Sequence, residues 1–220
     1  MRILSLDTTA EFGSVALIED GATVEERLLR APDGFAHILF RQIEDMLARH
    51  GWRLGEIDAF AAAAGPGSFT GVRVGLAAVK GFAAALGRPA FGVSNLQALA
   101  SFGVAPLRAA VLDARRGEIY GAVYDAALRL AGDEVVTRFP EWLAALPVGD
   151  LEFVALDFAP FAPALAGTRW EHAPVITAPR ALAAAIGRIA AARLAAGDPG
   201  NPAALDANYV RRSDAELPKW

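Results

Sequence analysis

The sequence has 220 residues, and its 54% hydrophobic content excludes a predominantly disordered chain. The net charge of −4 excludes a strongly basic protein that binds RNA by itself, so any role on nucleic acid needs a partner. The absence of cysteine excludes disulfides, thiolate metal sites and a cysteine nucleophile.

The apolar segments predict no membrane contact. The N-terminus reaches Asp7 too soon to hold the core of a signal peptide. The most apolar stretches are interrupted by Arg73 and Lys80 or by Arg188 and Arg193, so none reaches the ~18–20 apolar residues of a membrane span. We therefore expect a cytoplasmic protein.

The first half of the chain predicts three strands, followed by alternating helices and strands. Alternating or continuous apolar runs predict the strands, and apolar residues at helical spacing predict the helices. The predicted strands are 3–6, 13–18, 22–30, 57–64 and 91–93, and the predicted helices are 35–50, 69–86 and 95–100. This order indicates a mixed sheet with helices on both sides.

The second half begins with a strand at 110–113 and its hairpin partner at 118–124, the same strand–Asp–turn–strand order as residues 4–17. This similarity favours two related lobes, residues 1–105 and 106–220, although two hairpins in one protein often look alike. Residues 140–179 give no clear prediction. Arg180–Ala196 predicts an Ala-rich helix, and Ala207–Arg212 predicts a last strand.

The glycine-rich loop Gly65–Gly71 leaves a buried strand and opens a helix. It lacks the Gly-Lys-Ser/Thr ending of a Walker loop, because Arg73 follows it, and it lacks the second glycine of a nucleophile elbow. Backbone N–H groups at a helix start can hold an anion. The candidate anion-binding residues are Gly67, Ser68, Phe69 and Thr70. The alternative, which we prefer, is a tight turn that needs glycines for close packing.

The ionisable residues show no catalytic or metal-binding pattern. The spacing of His37, His50 and His172 matches no common metal motif, so we predict no metal site and no catalytic residue. Asp7 and Asp113 end strands at positions where sugar kinases and actin-like ATPases keep an acid, although a turn aspartate bonding its own backbone is the alternative.

The turn that follows Asp113 carries two cations, Arg115 and Arg116. In an actin-like ATPase, phosphate oxygens at such a turn meet backbone N–H groups. Two long side chains in this turn therefore argue against a normal nucleotide clamp.

The helix 69–86 is apolar over a wider arc than one sheet face requires. This arc consists of two adjoining stripes and two residues beyond the second: Val72, Leu76, Val79, Ala83 and Leu86; Gly71, Gly75, Ala78, Phe82 and Ala85; and Val74 and Gly81. Together they span roughly 220°, against the ~100° needed to cover a sheet. Either the second lobe or another chain covers the excess, and in the absence of a partner we expect two copies to pair.

Several segments, in order along the chain, resemble the TsaB (YeaZ-type) family. The matching segments are 3–9, 13–17, 65–77, 92–96, 112–120 and 209–212. The sequence Gly-Pro-Gly-Ser-Phe-Thr-Gly-Val-Arg-Val-Gly at 65–75 is the most specific of them. Residues 140–179 carry little of the resemblance.

This resemblance implies an α/β protein with the two-lobe actin-like ATPase (ASKHA, RNase H-like) fold, in which helices flank mixed sheets. It implies a non-catalytic scaffold subunit, without cofactors, for threonylcarbamoyl transfer to the adenosine next to the anticodon of tRNA. The implied partners are a metal-binding TsaD-type catalytic subunit and a TsaE-type ATPase, with tRNA bound only through the complex. The alternative from another class is an actin-like small-molecule kinase or ATPase. A protease reading has no catalytic constellation to support it.

In this family the helices that match 35–50 and 69–86 build the heterodimer bundle, in agreement with the wide apolar arc. The predicted partner-binding residues are Phe35, Ala36, Leu39, Phe40, Ile43, Leu47, Gly71, Val74, Gly75, Ala78 and Phe82. The family's usual His-Ser-Glu is replaced here by His37-Ile38-Leu39, which leaves the polar contacts at that helix in doubt.

Overall fold

The computed structural model describes residues 1–210 and contains ten strands and five α-helices in that range. The strands are β1 Arg2–Asp7, β2 Phe12–Glu19, β3 Ala22–Arg30, β4 Ala59–Gly65, β5 Ala90–Ser94, β6 Leu107–Arg115, β7 Glu118–Asp125, β8 Val135–Thr137, β9 Leu151–Ala155 and β10 Val175–Thr177. The helices are α1 Leu39–Arg49, α2 Phe69–Leu86, α3 Asn95–Ala100, α4 Phe139–Ala145 and α5 Ala183–Ala195. The chain forms two compact units, one from residues 1–95 and 180–208, and one that contains residues 96–179.

The first unit is a five-stranded mixed sheet in the order β3-β2-β1-β4-β5. β1 pairs antiparallel with β2 and parallel with β4. Because side chains alternate between the faces of a strand, Leu4 and Leu6 pack in the core beneath α1 and α2, whereas Ser5 contacts α5. The helices therefore cover both faces of this sheet, as the sequence predicts.

Groups of the sheet, rather than a residue next to the helix, cap the N-terminus of α5. The Ser14 hydroxyl accepts hydrogen bonds from the backbone N–H groups of Leu182 at 3.1 Å and Ala183 at 2.9 Å. The Glu26 carboxylate accepts a third, from Ala184 N at 2.7 Å. These contacts satisfy donors that the helix itself leaves unpaired, and they fix α5 to the first unit.

The second unit repeats the topology of the first, in the order β10-β9-β6-β7-β8. Its core contains a cluster of buried aromatic rings: Phe139, Trp142, Phe153, Phe158, Phe161 and Trp170. Gly121 of β7 lies against this cluster, where an added Cβ would come within 2.6 Å of the Trp142 ring. The range 140–179, for which the sequence gives no clear prediction, thus contains most of α4 together with β9 and β10.

The structure confirms the α/β class and most predicted elements, with three differences. The helix predicted from Phe35 begins at Leu39, and residues 36–38 before it form a turn in which Phe35 O accepts from Ile38 N at 3.1 Å. The predicted ranges 1–105 and 106–220 differ from the structural units, because α5 packs on the first sheet. The strand predicted at Ala207–Arg212 does not form over 207–210, and Arg211 and Arg212 lie outside the described residues.

α2 keeps the bounds that the sequence predicts. The Ser68 hydroxyl caps its start by accepting from Gly71 N at 3.3 Å, and Gly87, with φ 63°, ends it in the left-handed conformation. Within residues 1–210, α2 is the one helix long and apolar enough to cross a membrane, properties that it shares with core helices of folded domains.

Candidate functional site

An exposed aromatic side chain on α1 is linked to the core of the first unit through two further rings. Phe40 is 54% exposed, and its ring lies edge-on to that of Phe82, with centroids 5.8 Å apart. The Phe82 ring lies 5.4 Å from that of Phe60, which is fully buried in β4. The Phe40 ring is thereby held on a rigid support while about half of it faces solvent.

Part of the solvent-facing side of α2 is made of small apolar residues, and Thr70, Arg73 and Lys80 border it. Ala77, Gly81, Ala84 and Ala85 are exposed, and Val74 beside them is half-buried. An added Cβ at Gly81 would meet no atom within 4 Å, so the helix backbone is open to close approach there. We call the following set the α1–α2 surface: Ala36, Phe40, Val74, Ala77, Gly81, Phe82, Ala84 and Ala85. Exposed apolar surface of this kind is typical of protein–protein contacts.

Most of the predicted partner-binding residues are buried within this chain. Only Ala36 and Phe40 are exposed, and Val74 and Phe82 are half-buried. The other seven are buried within the chain's own first unit: Phe35, Leu39, Ile43, Leu47, Gly71, Gly75 and Ala78. The wide apolar arc of α2 is thus covered partly by this chain's own sheet and turns. Ala77, Gly81 and Ala84, which are not among the predicted residues, are exposed to solvent.

The glycine-rich loop is packed tightly against the turn between β1 and β2. Ser68 N donates to Thr9 O at 2.7 Å, and an added Cβ at Gly67 would come within 2.7 Å of Thr9 Cβ. These contacts use the loop's glycines for close packing, and they favour the tight-turn interpretation over an anion site. At the outer edge of the loop, Phe69 is 41% exposed and its ring lies 3.6 Å from the Arg73 guanidinium carbon; Thr70 is also exposed.

Asp7 at the end of β1 is buried and hydrogen-bonded within the chain. One of its carboxylate oxygens accepts from Thr9 N at 2.9 Å and from Thr9 Oγ1 at 2.7 Å. Burial raises the pKa of Asp7, while the hydrogen bonds from Thr9 and Asn95 oppose that shift. Asn95 also joins this group to the glycine-rich loop: its amide nitrogen donates to Thr9 Oγ1 at 2.7 Å, and its amide oxygen accepts from Gly65 N at 3.1 Å.

Asp113, at the corresponding position of the second unit, is an exposed turn residue. Its carboxylate accepts from Arg115 N at 2.7 Å. Arg116 and Gly117 both have positive φ, 57° and 77°, as a two-residue type I′ hairpin turn requires. The turn-aspartate alternative therefore describes Asp113.

The three histidines do not form a metal site with other side chains of the described residues. Among residues 1–210, no group of three or more His, Cys, Asp or Glu side chains is arranged to hold a metal ion. His37 and His172 are exposed, and His50 Nε2 lies 2.8 Å from a Glu25 carboxylate oxygen. His50 and Glu25 thus form a structural contact between α1 and β3.

The family model of TsaD, described as tRNA N6-adenosine threonylcarbamoyltransferase, matches residues 30–166. A crystal structure from Pseudomonas aeruginosa, described as similar to the peptidase YEAZ, is 30% identical with a TM-score of 0.75, and the match covers 96% of this chain and 99% of that one. This chain belongs to the TsaB/YeaZ-type proteins of that family. Its members include the tRNA threonylcarbamoyladenosine biosynthesis protein TsaB of Escherichia coli, 40% identical over 129 residues, or 56% of this chain and 55% of that protein. This chain spans about half the length of the curated relatives it matches.

The fold of the family extends to proteins that bind nucleotides. The activator of 2-hydroxyisocaproyl-CoA dehydratase from Clostridium difficile, solved with ADPNP, has a TM-score of 0.53 at 10% identity and covers 89% of this chain and 96% of that one. At this identity the likeness concerns the fold alone. The two mixed sheets flanked by helices are those of the actin-like ATPase (ASKHA, RNase H-like) fold, as the sequence predicts.

Proposed function

We propose that this chain is the non-catalytic scaffold subunit of a cytoplasmic assembly that transfers the threonylcarbamoyl group to the adenosine next to the anticodon of tRNA. Its partners are a TsaD-type catalytic subunit, which it contacts through the α1–α2 surface, and a TsaE-type ATPase. The tRNA is bound by the assembly and not by this chain alone. Relatives that carry the name of threonylcarbamoyladenosine biosynthesis support this proposal.

The observation that carries the partner assignment is the exposed Phe40 ring together with the exposed small apolar residues of α2. Aromatic anchors on rigid supports, surrounded by a flat apolar surface, are typical of the centre of a protein–protein interface. Gly81 and its alanine neighbours allow another helix to pack at short distance, because they carry little or no side chain. A helix pair from the partner is the element that fits this face.

The same surface accounts for the expected behaviour of the isolated protein. Without its partner, an exposed apolar face is costly in water. Two copies can cover it by pairing about a two-fold axis, because each presents the same patch to the other. We therefore propose a homodimer that forms only when the partner is absent.

The test compares two substitutions of similarly exposed apolar residues in the first unit. Phe40→Asp places a charge in the proposed interface, whereas Leu28→Asp changes a 48% exposed residue on β3, away from α1 and α2. A desolvated, unpaired charge costs several kcal/mol. Phe40→Asp should therefore lose co-purification with the TsaD-type subunit and the tRNA modification, and Leu28→Asp should keep both. Equal behaviour of the two variants would contradict the assignment of the surface.

A further inference from the structure

The turn formed by Thr8 and Thr9 supports the first turns of α2 from beneath. Both threonines are buried, at 1% and 4% exposure. Thr8 Oγ1 donates to Gly71 O at 2.7 Å, and Thr9 O accepts from Ser68 N at 2.7 Å. Each threonine therefore holds the start of the helix through one direct hydrogen bond.

Three glycines, each four residues from the next, allow α2 to lie this close to the turn. An added Cβ at Gly67 would come within 2.7 Å of Thr9 Cβ, and one at Gly75 within 2.7 Å of Thr8 Oγ1. An added Cβ at Gly71 would overlap Thr8 O. Side chains at these positions would require α2 or the turn to move.

The turn itself is held by Asp7 and Asn95. Thr9 donates its backbone N–H and its hydroxyl to Asp7, and its hydroxyl oxygen accepts from the Asn95 amide. Because these groups are buried, each hydrogen bond that is lost leaves a polar atom without a partner, which makes the arrangement stiff.

We propose that Thr8 and Thr9, held by Asp7 and Asn95, are positioning residues. They set the distance of α2 from the turn after β1, and thereby the geometry of the α1–α2 surface. Ala77 follows Gly75 by two residues, about 200° of helical rotation, and so lies on the far side of the helix. A shift of α2 away from Thr8 therefore moves Ala77 outward by a similar distance. This inference rests on the proposed function, because it assumes that the partner binds the α1–α2 surface.

The first test separates positioning from general stabilisation by comparing two buried hydroxyls on opposite faces of the sheet. Thr8→Val removes the hydrogen bond to Gly71 and places a methyl group beside Gly75, whereas Ser14→Ala removes two of the three hydrogen bonds that cap α5. Both variants should unfold at lower temperature. Only Thr8→Val should bind the TsaD-type subunit more weakly, by at least about threefold because α2 is displaced, and Thr8→Ser should restore the affinity.

The second test uses the fit between Thr8 and Gly75, and does not depend on the stability of Thr8→Val. In Gly75→Ala the new methyl group meets Thr8 Oγ1. When Thr8→Ala is also present, the nearest neighbour of this methyl group is Ala62 Cβ at 3.8 Å, an ordinary contact. We expect Gly75→Ala to weaken partner binding and the double variant to bind more tightly than Gly75→Ala.

The outcomes distinguish this inference from the proposed function. If the wild-type chain does not bind the TsaD-type subunit, the proposed function fails, and the positioning role fails with it. If the wild type binds and Phe40→Asp does not, but Thr8→Val and Gly75→Ala keep wild-type affinity, only the positioning role is overturned. It is also overturned if Ser14→Ala weakens binding as much as Thr8→Val.

Discussion

Truncation of Phe40 to alanine tests the proposed interface quantitatively. A phenylalanine side chain buries roughly 200 Å² when fully covered. With 54% exposure in the isolated chain, about 100 Å² remains for a partner to cover. At ~25 cal/mol per Å² this area contributes about 2.5 kcal/mol, which corresponds to a loss of affinity of roughly 70-fold in Phe40→Ala.

The assay is titration calorimetry of wild type and Phe40→Ala against the TsaD-type subunit. Thermal unfolding of the two isolated proteins serves as the control, because Phe40→Ala also removes the ring contact with Phe82, worth ~0.5–1.5 kcal/mol. A small loss of stability with a large loss of affinity is the expected result. An affinity within about threefold of wild type would refute the placement of Phe40 at the centre of the interface.

Three further predictions concern nucleotide binding, self-association and pH. Calorimetry with ATP and magnesium should show no site tighter than about millimolar, because Asp7 is hydrogen-bonded within the chain and Asp113 lies in an arginine-bearing turn; micromolar binding with turnover would favour the kinase alternative. Sedimentation should show dimers of the isolated chain that dissociate as the TsaD-type subunit is added, and a strict monomer at high concentration would contradict an uncovered apolar face. At Glu25, desolvation raises the pKa, but hydrogen bonds from Arg49 and His50 outweigh it and lower the pKa overall. The ionised Glu25 carboxylate therefore stabilises the fold at pH values above the usual titration range of glutamate, and this stabilisation is lost as pH falls through the lowered pKa. The difference in melting temperature between wild type and Glu25→Gln should accordingly shrink between about pH 6 and about pH 3.

The sequence predicts the elements of the first unit well, because their signals are local. The bounds of α2 follow from Ser68 and Gly87, which act on neighbouring backbone groups. The sequence predicts α5 as a helix equally well, but it does not predict which of the two units this helix packs on. It belongs to the first unit through Ser14 and Glu26, which precede their partners in α5 by well over a hundred residues, and no local pattern reveals such contacts.

The proposed α1–α2 surface lies on the same pair of helices as the residues predicted from the sequence, but only four of those residues belong to it. Helical periodicity shows that Gly71, Gly75 and Ala78 share a stripe, yet it does not show whether this chain or another covers that stripe. The answer depends on Thr8, which packs under Gly71 and Gly75 from a distant turn. Phe40 could be recognised because it stands beside the main apolar stripe of its helix, where a core residue is not required.

Reconstitution tests the proposal that this chain is a necessary but non-catalytic subunit. The measurement is the formation of threonylcarbamoyladenosine on tRNA by the TsaD-type and TsaE-type proteins of the same organism, with an activated threonylcarbamoyl donor, in the presence and absence of this chain. We expect product only when all three proteins are present, and none from this chain alone. Product of equal yield without this chain, or from this chain by itself, would contradict the account.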